Sequence, residues 1–138
     1  MASTIPEHSV AGSKHAAISN LIVRTMSEYT GRGPTKARTH IHDDVVTVML
    51  QDTLTKGERS LANEGHEELV LTMRKAFQRT MREEMVSGVE EILGRKVIAF
   101  FSDNSIDPDC AAEVFLLAPA TTDPDRHMNG AMPKPDPG

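Results

Sequence analysis

Residues 67–93 read EELVLTMRKAFQRTMREEMVSGVEEIL. Apolar side chains recur at Leu69, Met73, Phe77, Met81 and Met85, and the row continues through Gly88 to Ile92. Steps of three and four residues put these positions on one face of an α-helix. Val70, Ala76, Thr80, Val89 and Leu93 widen that face. Gly94 supplies the stop, because glycine takes the left-handed cap without steric cost. At 1.5 Å per residue the helix is about 40 Å long, enough to cross a small sheet and run past its edge.

The flanking segments supply that sheet. Lys36–His42 alternates, with Ala37, Thr39 and Ile41 on one face, and Val45–Gln51 does the same with Val46, Val48 and Leu50. Their β-branched content suits a pleated surface, and Asp43-Asp44 between them suits a tight turn, so the pair reads as a hairpin. After the long helix, Arg95–Ser102 and Glu113–Leu117 read as two more strands. The polar run Asp103–Asp109 serves as their connection. Val97–Phe101 is apolar on both faces, which predicts a central strand or one that covers a partner surface.

Two further helical signals complete the order. Ile18, Leu21, Ile22, Thr25, Met26 and Tyr29 form a stripe within Lys14–Thr30, with Ser13 as N-cap and Gly31, Gly33 and Pro34 as the stop. Thr55 with Glu58 matches a capping box, so the helical region starts near Lys56, and Gly65 marks a second start. The chain is therefore expected to be α+β, a two-layer sandwich in the order α-β-β-α-β-β. Two helices would cover a four-stranded antiparallel sheet. Moving the last strand to the front gives the split order of ferredoxin-like folds. Residues 14–118 carry this domain. Residues 1–13 lack apolar periodicity, and 119–138 is rich in proline, so both tails are expected to be disordered.

Composition narrows the function classes. The chain has 138 residues, a formal net charge of -5 and one cysteine. That charge disfavours nucleic acid, and no apolar run approaches the length of a membrane span, so direct membrane insertion is not expected. The start lacks the pattern of a secretory signal, which predicts a cytoplasmic protein. Cys110, alone and without a histidine partner in sequence, reads as an inert small hydrophobe.

Each chemical candidate meets a simpler explanation. His40 and His42 share one strand face, but that face is the solvent side, and a third ligand would have to come from Asp43, Asp44 or His66; no metal is expected. Asp103–Asp109 lacks the ligand spacing of a calcium loop. Gly31-Arg32-Gly33-Pro34 is not followed by a helix, which excludes a nucleotide cradle, although Arg32 with Lys36 and Arg38 remains a candidate anion site. Along the long helix Arg74, Lys75, Arg79 and Arg82 form a positive band, with Arg79–Glu83 as its one well-spaced ion pair. Arg32, Lys36, Arg38, Arg74, Arg79 and Arg82 are thus the candidate residues for an anion or a partner. No catalytic set and no cofactor motif is legible. Exposed sheet edges and the overrunning helix predict a homodimer.

Taken in order, Gly31-Arg32-Gly33-Pro34, Leu54-Thr55, Glu58, Leu61, Gly65, Arg74, Gly94-Arg95-Lys96-Val97, Asp103 and Val114-Phe115-Leu116-Leu117 resemble the MpsC-like family. Its name comes from a component of a sodium-translocating, membrane-potential-generating system. The resemblance spans about Ser19 to Leu117 and implies a bacterial, cytoplasmic accessory subunit. The implied partner belongs to a membrane ion or inorganic-carbon transport system.

Overall fold

The computed structural model describes residues 7–119, with side chains from Gly12 onward. Helix α1 spans Glu7–Thr30, so it starts seven residues ahead of the expected Lys14. Ile18, Ile22 and Met26 are fully buried on its inner face. At its end Gly31 takes φ 83 and donates its N–H to the Ser27 carbonyl at 2.9 Å. Residues 1–6 and 120–138, the outer parts of the two expected tails, lie outside the described residues.

Strands β1 (Lys36–His42) and β2 (Val45–Gln51) have the expected bounds. Asp43 makes the turn between them at φ 54, a conformation that Asp tolerates better than most residues. The long helical region is two helices. Helix α2 (Lys56–Asn63) starts at the Thr55–Glu58 capping box, and α3 (Glu67–Leu93) follows a break at Gly65, φ 92. Gly94 caps α3 in the left-handed conformation.

Two expectations about the last strands need correction. Strand β3 is Val97–Ser105 and β4 is Cys110–Leu117, so the first three residues of the supposed loop are sheet and only 106–109 make the turn. Asp103, Asn104 and Ser105 pair with Ala112, Ala111 and Cys110; ladder bonds and a helix above outweigh the turn preference of these residues. The sheet order is β1-β2-β4-β3, with every neighbour antiparallel. Of the two readings of the apolar Val97–Phe101 segment, a central strand or one that covers a partner surface, the first is overturned: β3 is an edge, and β4 sits in the middle. Placing β4 ahead of α1 turns this order into the ferredoxin-like arrangement, its four strands then lying 4-1-3-2.

Helices α1 and α3 cover one face of the sheet. Met81, Met85 and Val89 of α3 meet Ile18 and Ile22 of α1 over Val46, Val48, Leu50 and Phe115. Gly88 lets the helices close up, since a Cβ there would lie 2.5 Å from a Leu21 methyl. The smaller α2 packs through Ala62 against Val70, with Leu54 beneath. The apolar stripe read along α3 holds only in its second half. Leu69 is 51% exposed, and the buried residues of the first half are Val70, Arg74 and Gln78. The helix is turned there because a buried polar cluster, described next, occupies the space beneath it.

Candidate functional site

The six candidate cations are sorted into different environments. Arg32 is spent on the chain itself: it donates to the Asp52 and Leu54 carbonyls at 2.7 and 3.1 Å and to the Asp52 carboxylate at 2.7 Å. These bonds staple the α1–β1 turn to the β2–α2 connection. Lys36 and Arg38 stand exposed on the outer face of β1, beside a depression of about 610 Å³ that His40 also lines. Arg74 is buried at 3% exposure. Arg79 and Arg82 meet Lys75 at a cleft between α3 and β3. The structure thus separates Arg32 from Lys36 and Arg38, and Arg74 from the helical band it belongs to in sequence.

The cleft has a volume of about 190 Å³ and is lined by Lys75, Gln78, Arg79, Arg82, Phe100 and Ser102. The Arg82 guanidinium lies 5.4 Å from the centroid of the Phe100 ring, a cation–π distance. Phe100 is backed by Phe115, with ring centroids 4.9 Å apart. Among the described residues neither Lys75, Arg79 nor Arg82 forms an ion pair; the expected Arg79–Glu83 pair does not close. The cleft therefore offers three cations and an aromatic wall to a ligand or a partner.

Beneath it lies the polar cluster. Arg74 Nη1 donates to Glu58 Oε1 at 3.0 Å, and both side chains are almost wholly buried. The same Glu58 oxygen accepts the Thr55 N–H at 2.8 Å, so the capping box and the ion pair share one carboxylate. Arg74 Nε donates to Asn104 Oδ1 at 3.1 Å, and Asn104 exchanges two hydrogen bonds with the Gln78 amide at 2.9 and 3.0 Å.

Glu113 completes the cluster from the central strand, opposite Ser102 of β3 and Val48 of β2. It is fully buried, and neither carboxylate oxygen has a hydrogen-bond partner among the described residues. Burial pushes its pKa up to about 7, against the opposing influence of the Ser102 hydroxyl, Arg74 and the Gln78 amide. Ser102 and Gln78 thus lie close enough to favour the charged form without meeting hydrogen-bond geometry. One guanidinium acts on two buried carboxylates, through a direct contact with Glu58 and through its charge alone on Glu113. Glu58 takes the direct ion pair, so neutrality is reached when Glu113 holds a proton. Ser102 and Gln78 also line the cleft, which places this titratable group one side chain below the basic surface.

A second polar knot holds the β3–β4 turn. Asp109 accepts hydrogen bonds from the Thr53 N–H and hydroxyl, both at 2.9 Å, from the Leu54 N–H at 3.2 Å and from Arg59 at 2.9 Å. Burial alone would raise its pKa, but the sum of these donors holds it below the ordinary carboxylate value. His40 and His42 are exposed, and among the described residues no three His, Cys, Asp or Glu side chains converge as a metal-binding set.

Sequence reasoning passed over Glu113, Gln78, Asn104, Ser102 and Phe100. A signal for the first two was present. Ala111, Glu113, Phe115 and Leu117 share one face of β4, and Arg74 and Gln78 interrupt the stripe from Val70 to Met81, so charged or polar residues stand at core positions. Asn104 gave no such signal while its segment read as a loop.

Comparison with known proteins places this architecture. The family model described as "Na+-translocating membrane potential-generating system (MpsC)" matches residues 11–119. The "Uncharacterized protein YrhF" of Bacillus subtilis (strain 168) is 26% identical over 100 residues, covering 71% of this chain and 82% of that protein. No solved structure matches the chain significantly. Among the described residues no helix is long and apolar enough to cross a membrane. With a match that takes in every described strand and almost all of the helical layer, the chain belongs to the MpsC family.

Proposed function

We propose that the chain is a non-catalytic cytoplasmic accessory or regulatory subunit, which binds an acidic segment of a protein partner in a membrane ion or inorganic-carbon transport system. The observation that carries this reading is the cleft. Lys75, Arg79 and Arg82 line it beside Phe100 and form no ion pair among the described residues, on a chain whose net charge is -5. Free cations on an acidic protein orient the encounter with an acidic partner, while the aromatic wall adds apolar contact. The family match supports the transport context.

The test is affinity capture from native membranes at about 150 mM salt, where exposed charges more than about 8 Å apart are largely screened, followed by reconstitution with the captured partner. Arg79→Glu is expected to weaken the complex at least tenfold, whereas Lys56→Glu, on exposed α2, leaves it unchanged. The same cleft also has the size for a small anion or a phosphorylated metabolite. Saturable thermal stabilisation by phosphate, bicarbonate or a nucleotide, lost in Arg79→Glu, together with no captured membrane partner, would replace the subunit reading with a sensor.

A further inference from the structure

Helices cover only one side of the sheet, and among the described residues no element covers the other. On that outer side Phe101 is 60% exposed, Met49 40% and Val45 38%. The strand register arranges the face in rows that cross all four strands. One row reads Arg38, Met49, Ala112, Asp103 from β1 to β3. Its ends are opposite charges, and its middle is apolar. Arg38 and Asp103 sit three strand spacings apart, about 14 Å, so they cannot pair within one chain. Both are exposed, and neither forms an ion pair among the described residues.

We propose that two copies of this chain pair through this face, about a two-fold axis parallel to the strands between β2 and β4. Such an axis lays each row over its own reverse. Arg38 then meets Asp103 of the second copy, twice per dimer. Along the axis Val45 meets Leu116, Thr47 meets Val114 and Met49 meets Ala112, each with its counterpart in the second copy. His40 falls over the exposed ring of Phe101. A two-fold interface demands this kind of self-complementarity. The perpendicular two-fold axis would instead stack β1 on β1, bringing Lys36 and Arg38 against the histidines and cations of the same edge, so charge selects the first axis.

Geometry and size agree with this pairing. Sheets stacked face to face lie about 10 Å apart with strand directions about 30° from each other, and an arginine side chain is long enough to absorb the resulting offset at the edges. Four strands of about seven residues present a face of roughly 19 by 23 Å, so two copies bury roughly 900 Å² in total, in the range of weak, transient contacts. The dimer is therefore expected to dissociate in the micromolar range. Its helices, and with them the two basic clefts, face outward on opposite sides.

The experiment is light scattering and sedimentation velocity on the full chain and its charge-reversal variants, over about 5–200 µM to span that range. The wild-type chain, 15.1 kDa, should move toward twice its mass with rising concentration. Arg38→Asp alone and Asp103→Arg alone should each weaken association at least tenfold, because each places two like-charge contacts in the interface. An equimolar mixture of the two variants should dimerise again, since every contact in the mixed pair is then between opposite charges. Circular dichroism melts of each variant check that the fold is intact. A wild-type chain that stays monomeric to the top of the range would overturn the proposal and leave the face to another partner. A dimer indifferent to both reversals, or a mixture that fails to restore association, would overturn it equally.

Discussion

Replacing Glu113 with glutamine should stabilise the protein, and by an amount that grows with pH. The carboxyl is fully buried, and its pKa stands at about 7 in the folded chain against an ordinary 4.5. Below 4.5 the group is protonated in both states and costs nothing in charge. As pH rises from 4.5 to 7 the unfolded chain releases its proton while the folded chain retains it, so stability falls. Above 7 the folded chain carries a buried charge, and the cost stops growing. At 1.36 kcal/mol per pH unit, the 2.5 between the two values sets a ceiling of about 3 kcal/mol. The linkage relation gives about 1 kcal/mol at pH 5 and about 3 at pH 8, a difference of roughly 2. Glutamine keeps the shape and has no proton to lose. Urea unfolding of the wild type and Glu113→Gln at the two pH values measures this difference directly, and thermal melts should show a gap wider by roughly 10 °C at the higher pH. A gap that does not change with pH would show that Glu113 does not titrate between the ordinary carboxylate range and neutrality, and would refute the electrostatic account of the cluster.

Two further substitutions test the layers around it. Arg74→Ala should cost about 3–5 kcal/mol in urea unfolding, because Glu58 is left as an uncompensated buried charge; Arg74→Ala with Glu58→Gln should cost less than the sum of the two single changes. Gly88→Val should lower the unfolding free energy by about 1–3 kcal/mol, since the added atoms meet the Leu21 side chain, while Gly57→Ala at an exposed position of α2 should raise it slightly, by less than about 1 kcal/mol.

The fold was legible wherever side-chain period and local stops agreed. The hairpin bounds followed from alternation in Lys36–His42 and Val45–Gln51, and the break near Gly65 from the weakness of glycine inside a helix. Asp103–Ser105 misled because turn-forming residues were read by local preference, while their strand is set by pairing with Cys110–Ala112. The first half of α3 misled for a related reason. Its apolar stripe through Leu69 is real in the sequence, but an ion pair formed across sixteen residues, Arg74 with Glu58, fixes which side turns inward. Of the candidate cations, sequence showed which residues were charged but not which were already engaged. Arg32 and Arg74 find their acceptors on segments twenty and sixteen residues away, a relation no local pattern expresses.

The position of β4 has a consequence for how the molecule is made. It is the last strand among the described residues, yet it lies between β2 and β3 and carries Phe115 into the middle of the core. While the chain is being synthesised, the β1–β2 hairpin and β3 have no sheet contact with each other, and α1 and α3 have only part of a floor to settle on. Ladder and core close together, when residues up to Leu117 have left the ribosome. Until that moment the nascent chain presents two unpaired strand edges and an open apolar surface, which are the features that draw chaperones and mispairing. A chain interrupted before Cys110 is accordingly expected to emerge without a stable sheet, however many of its other elements are complete.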